Sequence, residues 1–508
     1  MNETKNCQNC KNDFVIEPDD FAFYEKINVP APMFCPDCRN IRRLVWRNER
    51  NWYKRTCAKT GKNVLSMFAP DSGIIVYDEH YWKSDQWDPL EYEKEYDFSR
   101  SFFEQFKELF YAIPHPNLVQ KNNVNCDYSN YTLNGKNCYF CSSFDGAEDS
   151  AYLFTSNTEI RNCYDLHVST TCEFCYELVD CKKCNRVAFA QNCESCVESY
   201  LLYDCRNCTN CFGCVGLRNA QYCIFNQQYT KDDYQQRLTE FWNGSYAALE
   251  KGLEKFNALK LVVPRKFANI LNAENVTGDD ISNARNVYWS YVVRENVENV
   301  KYCYRAWKNT KDGWDTYCAW NGCELFYEAH SIIGQRVFFS AYCWGGHDIE
   351  YSYNCFDCND IFGCVGLRNK SYCIFNKQYS KEEYEALIAR IKEAMKEKGE
   401  YGEYFPVSLS PFGYNETIAQ DYFPKTKAEI VSGGYAWRDP EVKAYSISMH
   451  TADIPNTIEE TEDSITSEVI ECSHKGECHE QCATAFRIMP DELTFYRSLK
   501  IPLPRLCP

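Results

Sequence analysis

The sequence has no long apolar run and an excess of acidic over basic residues. No apolar stretch approaches the roughly 18 residues of a membrane-spanning helix, and the opening MNETKNCQNC has no apolar signal core. The formal net charge is −17, which argues against bulk electrostatic attraction to nucleic acid or to an anionic membrane. We therefore expect a cytoplasmic protein without membrane contact.

Enzyme motifs are also scarce. Neither HExxH nor GxSxG occurs, the TGK at 60–62 lacks the Gly-rich loop of a nucleotide site, and only eight histidines are present. Acidic stretches at Asp312 and His347 could place carboxylates on a protein wall, as in polysaccharide-cleaving β-helices. Acidic residues at turns are usually only solvated, so the sequence indicates no reaction.

Cysteine is the residue in excess, with 32 copies. In a chain that lacks an export signal and stays in a reducing compartment, disulfides are a poorer explanation than metal ligation or buried thiols.

One stretch of the sequence occurs twice. FGCVGLRNAQYCIFN at 212–226 returns at 362–376 as FGCVGLRNKSYCIFN, with two differences, and the similarity continues on both sides. Chance cannot produce such a match. The duplication predicts two related modules, at 122–240 and 272–398.

Large apolar residues recur within each module at intervals of 12 positions. In the first module they are Phe140, Tyr152, Tyr164, Tyr176, Ala188, Tyr200, Phe212 and Ile224. This period is typical of stacked solenoid coils. Because aromatic rings are too large for the inside of a 12-residue coil, we expect about 24 residues per coil and about four coils per module. A meander of antiparallel hairpins is the alternative.

Cysteines follow the same period, as at 172, 184, 196 and 208. In the second copy, Cys193 aligns with Cys343, but Cys196 aligns with Gly346. One cysteine of a CxxC pair can therefore be replaced while the other is kept. An obligate metal site should lose its ligands together, whereas a small packed side chain can be exchanged alone. The pattern favours interior packing, with a metal or redox cluster in the first module as the alternative.

A helix is predicted at the end of each module, where it would cover the open edge of the stack. The second begins at a capping box, Ser380 to Glu383, and carries an apolar stripe at helical spacing.

Two CxxC pairs near the N-terminus predict a closed, structural zinc site. The ligands are Cys7, Cys10, Cys35 and Cys38, and four thiolates leave no open position for catalysis. Free thiols, or iron in the same site, are the alternatives.

The segment after Cys38 reads as a basic helix. Its candidate nucleic-acid contacts are Arg39, Arg42, Arg43, Trp46 and Arg47. Arginine side chains can bind phosphate groups, and an aromatic ring can stack on bases. The alternative, which we favour in so acidic a chain, is that the arginines neutralise the acidic segment at 78–97.

The ribbon is duplicated at the C-terminus, where the sequence from Phe486 aligns with that from Phe14. The alignment matches Cys507 to Cys35, Cys482 to Cys10 and His479 to Cys7. Cys478, Cys482 and Cys507 are candidate ligands of a second metal. No counterpart of Cys38 is present, so either the sequence is truncated or the ribbon needs help from Cys472, Cys478 or His479.

Taken together, CPDCRNIRRLVWRNERNWYKRTC, the repeated FGCVGLRN and the IPLPRLCP end resemble a family of large, uncharacterised, cysteine-rich zinc-ribbon repeat proteins predicted in uncultivated small-genome bacteria. The resemblance spans essentially the whole chain. It implies a continuation beyond Pro508 with the missing CxxC half, and it implies no reaction.

The fold class expected is mainly β, with two duplicated parallel β-solenoid modules, capping helices, and zinc-ribbon or treble-clef-like ends. The segments are a zinc ribbon with a basic helix (1–60), an α+β connecting segment (61–121), solenoid module 1 (122–240), a helical connector (241–271), solenoid module 2 with its cap (272–398), an irregular segment with an acidic linker (399–471) and a partial second ribbon (472–508).

Three functions are compatible with this organisation. The first, which we favour, is a zinc-stabilised, non-enzymatic scaffold whose solenoid faces bind an unknown macromolecule, a protein rather than a nucleic acid. The second is a nucleic-acid-associated zinc-ribbon protein. The third is a carbohydrate-active β-helix enzyme, which three or more carboxylates converging in one groove would favour.

Overall fold

The computed structural model describes residues 2–440, 445–478 and 482–508. The chain begins with short hairpins and helices: β1 (Glu3–Asn6), β2 (Asp13–Ile16), α1 (Pro18–Lys26), α2 (Pro36–Leu44), β3 (Tyr53–Thr56), β4 (Asn63–Ser66), β5 (Val76–Tyr77), α3 (Glu79–Lys83), α4 (Phe102–Ala112) and β6 (His115–Pro116).

A first stack of strands follows, which we call solenoid 1. Its strands are β7 (Gln120–Lys121), β8 (Val124–Asp127), β9 (Thr132–Leu133), β10 (Lys136–Tyr139), β11 (Asp145–Phe154), β12 (Asn157–Arg161), β13 (Tyr164–His167), β14 (Tyr176–Val179), β15 (Asn185–Gln191), β16 (Val197–Tyr203), β17 (Thr209–Val215), β18 (Gln221–Ile224) and β19 (Gln227–Gln228). Helices α5 (Lys231–Leu238) and α6 (Tyr246–Val262) come next.

The second stack, solenoid 2, consists of β20 (Ile270–Arg294), β21 (Val297–Trp307), β22 (Lys311–Ala319), β23 (Glu324–Phe338), β24 (Trp344–Glu350), β25 (Phe356–Phe362), β26 (Ser371–Ile374) and β27 (Lys377–Gln378). The last elements are α7 (Lys381–Glu397), α8 (Ile418–Tyr422), α9 (Lys427–Ser432), β28 (Ile470–Glu471), β29 (Ala485–Phe486) and α10 (Pro490–Leu499).

Both stacks are parallel β-solenoids, as the sequence predicts. Neighbouring strands pair in parallel from β13 through β18 and from β20 through β26, and only the short terminal strands β19 and β27 pair antiparallel. The antiparallel meander is therefore wrong. A capping helix follows each stack, and Ser380 and Glu383 form the capping box of α7.

The expected coil of about 24 residues is wrong, because one coil takes only 12. Tyr164 pairs with Tyr176, and Tyr176 with Ala188, each 12 positions further along. The first coils of solenoid 2 take 13 residues, as where Val300 pairs with Gly313.

A period of three residues inside the coil explains how it can be so short. Every third residue points inward, as at Cys172, Cys175, Leu178, Cys181, Cys184, Val187 and Ala190. Two positions after each inward residue the backbone is left-handed, for example φ 53° at Asp180 and 52° at Lys183. The chain therefore turns a corner four times per coil. Each such corner costs about 1–2 kcal/mol in a non-glycine residue, which the ladder hydrogen bonds and the packed interior offset.

The interior is filled by small side chains, while the aromatic columns lie outside it. The interior of solenoid 1 is mostly cysteine, leucine, valine and alanine. Tyr152, Tyr164, Tyr176 and Phe212 belong instead to a second cluster, together with residues of α6 and α10. The reasoning that required a larger coil failed because the rings pack under helices and not within the coil.

The cysteines of the modules are buried, apart from the half-buried Cys126. All 32 cysteines lie in the described residues, and none of them is bridged. Among those residues, the groups of three or more metal-type ligands include no ladder cysteine. The structure thus places these thiols in the packed interior.

The stretch that occurs twice holds the last coil of each solenoid. Phe212 and Phe362 are both 0% exposed, which confirms their expected burial. Gly213 and Gly363 have φ values of 63° and 65°. A Cβ at Gly213 would lie 2.4 Å from the Phe225 ring, so glycine is needed both for the turn and for the ring beside it.

The protein divides into two compact units, and each unit is built from two separate segments of the chain. Unit 1 comprises residues 1–118 and 266–439, and unit 2 comprises 119–265 and 440–508. The N-terminal ribbon therefore shares a unit with solenoid 2, and the C-terminal ribbon shares one with solenoid 1. Among the described helices, none combines the length and apolarity that crossing a membrane requires.

Candidate metal centres and docking walls

The N-terminal ribbon brings its four predicted ligands together. The sulfurs of Cys7, Cys10, Cys35 and Cys38 all lie within 4.8 Å of one another. Cys7 closes the β1–β2 hairpin, its N–H donating to Asn12 at 2.9 Å, and Cys35 is the N-cap of α2. The turn between β1 and β2 thus supplies Cys7 and Cys10, and the N-terminus of α2 supplies Cys35 and Cys38.

Hydrogen bonds favour the thiolate form at two of the four sulfurs, those of Cys7 and Cys38. The backbone N–H of Cys35 donates to Cys7 Sγ at 3.3 Å, and the Asn9 amide donates to Cys38 Sγ at 3.3 Å. A hydrogen bond from Cys35 lowers the pKa of Cys38 to about 5, against the effect of burial. Four convergent sulfurs with N–H donors aimed at them fit a metal that takes tetrahedral thiolate ligands.

Helix α2 corrects the expectation of an exposed basic patch. Arg39, Arg42, Arg43 and Arg47 are 5% exposed or less. The acids that form ion pairs with them are Asp315, Glu328, Glu403 and Glu49, and none of these four belongs to the acidic segment at 78–97.

Three of these arginines bind two carboxylates of the solenoid wall. Arg39 contacts Asp315 at 2.8 Å. Arg42 and Arg43 contact Glu328 at 2.8 Å and 2.7 Å, and Arg42 also binds Glu403. Asp315 and Glu328 are 0% exposed, so every guanidinium here is needed to offset a buried negative charge.

The other two candidates for nucleic-acid contact are buried as well. Arg47 pairs with Glu49. Burial alone would raise the pKa of Glu49, but the guanidinium groups of Arg47 and Arg305 lower it to about 2. Trp46 is 0% exposed and packs against Phe405, with ring centroids 5.1 Å apart. None of the five residues offers a surface to phosphate or bases.

Helix α1 docks on the same wall of solenoid 2. Phe23 stacks on Trp314 with ring centroids 3.9 Å apart. Asp20, 2% exposed, accepts hydrogen bonds from Lys301 Nζ at 2.9 Å and from Trp314 Nε1 at 2.9 Å. The ribbon is thus fixed to its solenoid by two helices.

The C-terminal ribbon repeats this arrangement with one change of ligand. Cys472, His474 and Cys482 form a ligand group, and Cys507 Sγ lies 3.6 Å from Cys482 Sγ. The backbone N–H of Cys507 donates to Cys472 Sγ at 3.3 Å, as that of Cys35 donates to Cys7.

The predicted second metal set therefore needs a correction. Cys482 and Cys507 meet as expected, but among the described residues Cys478 joins no ligand group. Cys472 takes the place of Cys7, because an insertion lengthens the knuckle and shifts the sequence alignment. His479, which the alignment matched to Cys7, lies outside the described residues.

Helix α10 docks on solenoid 1 as α1 docks on solenoid 2. Phe495 packs on Tyr164 with ring centroids 4.6 Å apart. Glu492, the counterpart of Asp20, is 2% exposed and accepts a hydrogen bond from Tyr496 Oη at 2.6 Å. Burial raises its pKa to about 7.

Sequence reasoning missed a third hairpin of the ribbon type. Cys57 lies between β3 and β4, its N–H donating to Lys62 at 2.8 Å, as Cys7 N–H donates to Asn12. Its sulfur accepts backbone N–H groups of Thr60 at 3.3 Å and Asp78 at 3.1 Å. Thr60 and Asp78 stand where the N-terminal ribbon has Cys10 and Cys35. The sequence feature that could have predicted this hairpin is the single cysteine, Cys57, in a turn that resembles a zinc knuckle.

The acidic stretch at His347 forms a small surface group with Asp348 and Asp360. His347 Nδ1 lies 2.7 Å from Asp348 Oδ2, and Arg336 also binds Asp348. This group holds two carboxylates, one of them already paired, which falls short of the three convergent carboxylates that would favour a carbohydrate-active enzyme.

Comparisons with known proteins give no family. No family model matches the chain, and no curated protein matches it. The crystal structure of a "putative acetyltransferase" from Desulfovibrio desulfuricans G20 matches with a TM-score of 0.11 and 9% identity, covering 53% of this chain and 71% of that one. A likeness at that level assigns neither a fold nor an activity to this chain.

Proposed function

We propose that the protein is a non-enzymatic binding scaffold in which zinc stabilises a ribbon docked on each solenoid. The observation that carries this proposal is the closed set of four sulfurs at Cys7, Cys10, Cys35 and Cys38. Zinc is the ion that such a set ordinarily takes, and a four-thiolate site has no open position at which a substrate could bind.

The binding role rests on the outer faces of the solenoids. On solenoid 2, Trp289 is 59% exposed and Tyr291 is 46% exposed. Large aromatic side chains of this kind supply the anchors of protein interfaces. The net charge of −17 and the burial of the α2 arginines favour a protein partner over a nucleic acid. Unbridged cysteines are in keeping with a reducing, cytoplasmic compartment.

Elemental analysis and affinity capture test the two halves of this proposal. The purified full chain should hold one tightly bound zinc, or two if the C-terminal ribbon is loaded. Immobilised wild-type protein should retain a protein partner that the Trp289→Ala, Tyr291→Ala variant does not retain. Tyr128→Ala, which changes an exposed ring of solenoid 1, serves as the control.

Two results would contradict the proposal. A chain free of zinc would remove the metal half. Equal retention of every partner by the wild type and by the double variant would remove this face of solenoid 2 as the binding surface.

A further inference from the structure

The C-terminal ribbon brings four side chains of metal-ligand type to one place in unit 2. Ligand atoms of Cys472, His474 and Cys482 all lie within 4.8 Å of one another. Cys507 joins them, because its sulfur lies 3.6 Å from that of Cys482 and its backbone N–H donates to Cys472 Sγ at 3.3 Å. Three sulfurs and one imidazole therefore converge, which is one of the ligand sets that structural zinc takes.

The spacing of the sulfurs fits a tetrahedral ion. Zinc–sulfur bonds of about 2.3 Å place two sulfurs of a tetrahedron about 3.8 Å apart. The sulfurs of Cys482 and Cys507 are 3.6 Å apart. Their counterparts in the N-terminal ribbon, Cys10 and Cys35, have sulfurs 3.7 Å apart. The two ribbons thus present the same edge of a tetrahedron.

A backbone N–H group points at each of the three sulfurs. Besides the donation from Cys507 to Cys472, the N–H of Thr484 donates to Cys482 Sγ at 3.2 Å. The N–H of Ala483 donates to Cys507 Sγ at 3.4 Å. Such donors stabilise the negative charge that a sulfur carries when it binds a metal.

The ladder cysteines provide a contrast. Their thiols donate to carbonyl groups, as Cys181 Sγ does to Ala190 O and Cys205 Sγ to Cys214 O, both at 3.5 Å. A sulfur that donates must keep its proton. The direction of these hydrogen bonds therefore distinguishes packed thiols from the sulfurs of the ribbon.

Backbone contacts hold the C-terminal site together without a metal. Strands β28 and β29 pair antiparallel, and the N–H of Cys472 donates to Thr484 O at 2.9 Å beside them. The carbonyl of Arg505 accepts the N–H of Ser473 at 2.9 Å, and its guanidinium donates to Pro455 O at 3.0 Å. These bonds place the last ligand against the hairpin, so the site is formed in advance of metal binding.

The two ribbons differ in the exposure of their ligands. All the N-terminal ligands except Cys10 are buried, whereas in the C-terminal set only Cys472 is buried and the other three are half-buried. Water and competing ligands therefore reach the C-terminal site more easily. The C-terminal set also has one thiolate fewer, because His474 supplies a neutral imidazole.

We propose that Cys472, His474, Cys482 and Cys507 form a second zinc site, of three thiolates and one imidazole, which releases its metal before the N-terminal site does. The inference rests on the proposed function, in which zinc stabilises a ribbon on each solenoid. It makes the C-terminal ribbon the one that responds to a change in zinc supply.

Elemental analysis of variants of the full chain tests the ligand set. The wild type, purified with zinc present, should hold two zinc ions, and Cys482→Ser should hold one. Cys478→Ser, which removes a neighbouring thiol outside the ligand group, is the matched control and should keep both. Loss of a zinc ion from Cys478→Ser, or no loss from Cys482→Ser, would overturn the proposal.

Cobalt(II) in place of zinc tests the imidazole. Its charge-transfer absorption increases with the number of thiolate ligands, so His474→Cys should raise the absorption of the loaded chain. His474→Ala should weaken metal binding at this site by about tenfold or more. Equal absorption and equal affinity in the wild type and both variants would remove His474 from the site.

Release into an excess of a chromogenic zinc chelator tests the order. The wild type should lose its zinc in two phases, of which Cys482→Ser lacks the fast one and Cys35→Ser the slow one. The reverse assignment, or one phase for both ions, would contradict the proposal. A wild type free of zinc would instead remove the metal half of the proposed function, whereas a single zinc ion that only Cys35→Ser loses would overturn this inference alone.

Discussion

Replacing Glu328 by glutamine should release helix α2 from solenoid 2. Glu328 is 0% exposed and accepts hydrogen bonds from Arg42 at 2.8 Å and from Arg43 at 2.7 Å. Glutamine keeps the shape and removes the charge, so Arg42 keeps only Glu403 as a counter-ion and Arg43 keeps only Asp315, at 3.4 Å. Removal of one partner from a buried ion pair costs about 3–5 kcal/mol.

Hydrogen exchange at the amides of α2 measures this loss directly. A factor of ten corresponds to about 1.4 kcal/mol, so local opening should become roughly two to four orders of magnitude more frequent. The internal duplication supplies the control, Glu177→Gln, because Glu177 follows Tyr176 on solenoid 1 as Glu328 follows Tyr327 on solenoid 2, but Glu177 is exposed and enters no ion pair among the described residues. That variant should change the free energy of unfolding by less than about 0.5 kcal/mol. Unchanged exchange of α2 in Glu328→Gln, or equal effects of both variants, would refute the reasoning.

Three further predictions concern other parts of the molecule. Cys35→Ser should release one zinc and loosen the N-terminal ribbon, whereas Cys208→Ser should lower the free energy of unfolding by about 1–3 kcal/mol without loss of metal. Metal content is measured by elemental analysis. Metal loss in Cys208→Ser would mean that the ladder cysteines bind metal. Burial lowers the pKa of His115 to about 4, below its unfolded value of about 6.5, so the unfolded chain binds the extra proton. Stability should therefore fall by roughly 3 kcal/mol as the pH falls from about 6.5 to about 4, and a constant urea midpoint for unit 1 across that window would contradict it. A Cβ at Gly346 would lie 1.7 Å from the Cys358 carbonyl oxygen, whereas a Cβ at Gly399, which also has a positive φ, would meet nothing within 4 Å. In thermal unfolding, Gly346→Ala should therefore lower the free energy of unfolding by at least about 2 kcal/mol more than Gly399→Ala does.

The 12-residue period and the interior packing of the cysteines could be predicted from the sequence, but the position of the aromatic residues outside the coil could not. Cysteines and aromatic residues share the same 12-residue spacing, and spacing alone does not say which of the two points inward. The sequence does carry a finer signal, since asparagine recurs at left-handed corners such as Asn192, Asn207 and Asn210, where it is tolerated better than most residues. A three-residue period of inward positions would have led to the short coil.

The N-terminal metal ligands were predictable because their spacing is local. The partners of the basic helix were not, because Arg39 and Asp315 are 276 residues apart. Local charge suggested either an exposed patch or pairing with the next acidic segment, whereas Asp315 and Glu328, which bind three of these arginines, are single residues within β-strands. The C-terminal site was predicted in part: Cys482 and Cys507 were expected, whereas Cys472 was named only as one of three residues that could complete the site, because the alignment matched His479 to Cys7.

The division of each unit between distant chain segments has a consequence during synthesis. The N-terminal ribbon leaves the ribosome long before solenoid 2, which ends some 340 residues after Cys38. At about 5–20 residues per second, Arg39, Arg42 and Arg43 of the nascent ribbon wait for roughly 20 to 70 seconds before the last strand of solenoid 2 is made.

During that interval solenoid 1 is the only wall available, and it presents the acidic pair Asp165 and Glu177. Premature docking there would be a misassembly of the kind that duplicated proteins risk. We expect Asp20 to disfavour it, because Lys301 and the Trp314 indole that bind this carboxylate belong to solenoid 2, whereas solenoid 1 has Ala151 and Tyr164 at the corresponding places. A buried carboxylate without its ammonium partner would make the wrong pairing unstable. These side chains therefore favour docking of the N-terminal ribbon on solenoid 2 over docking on solenoid 1.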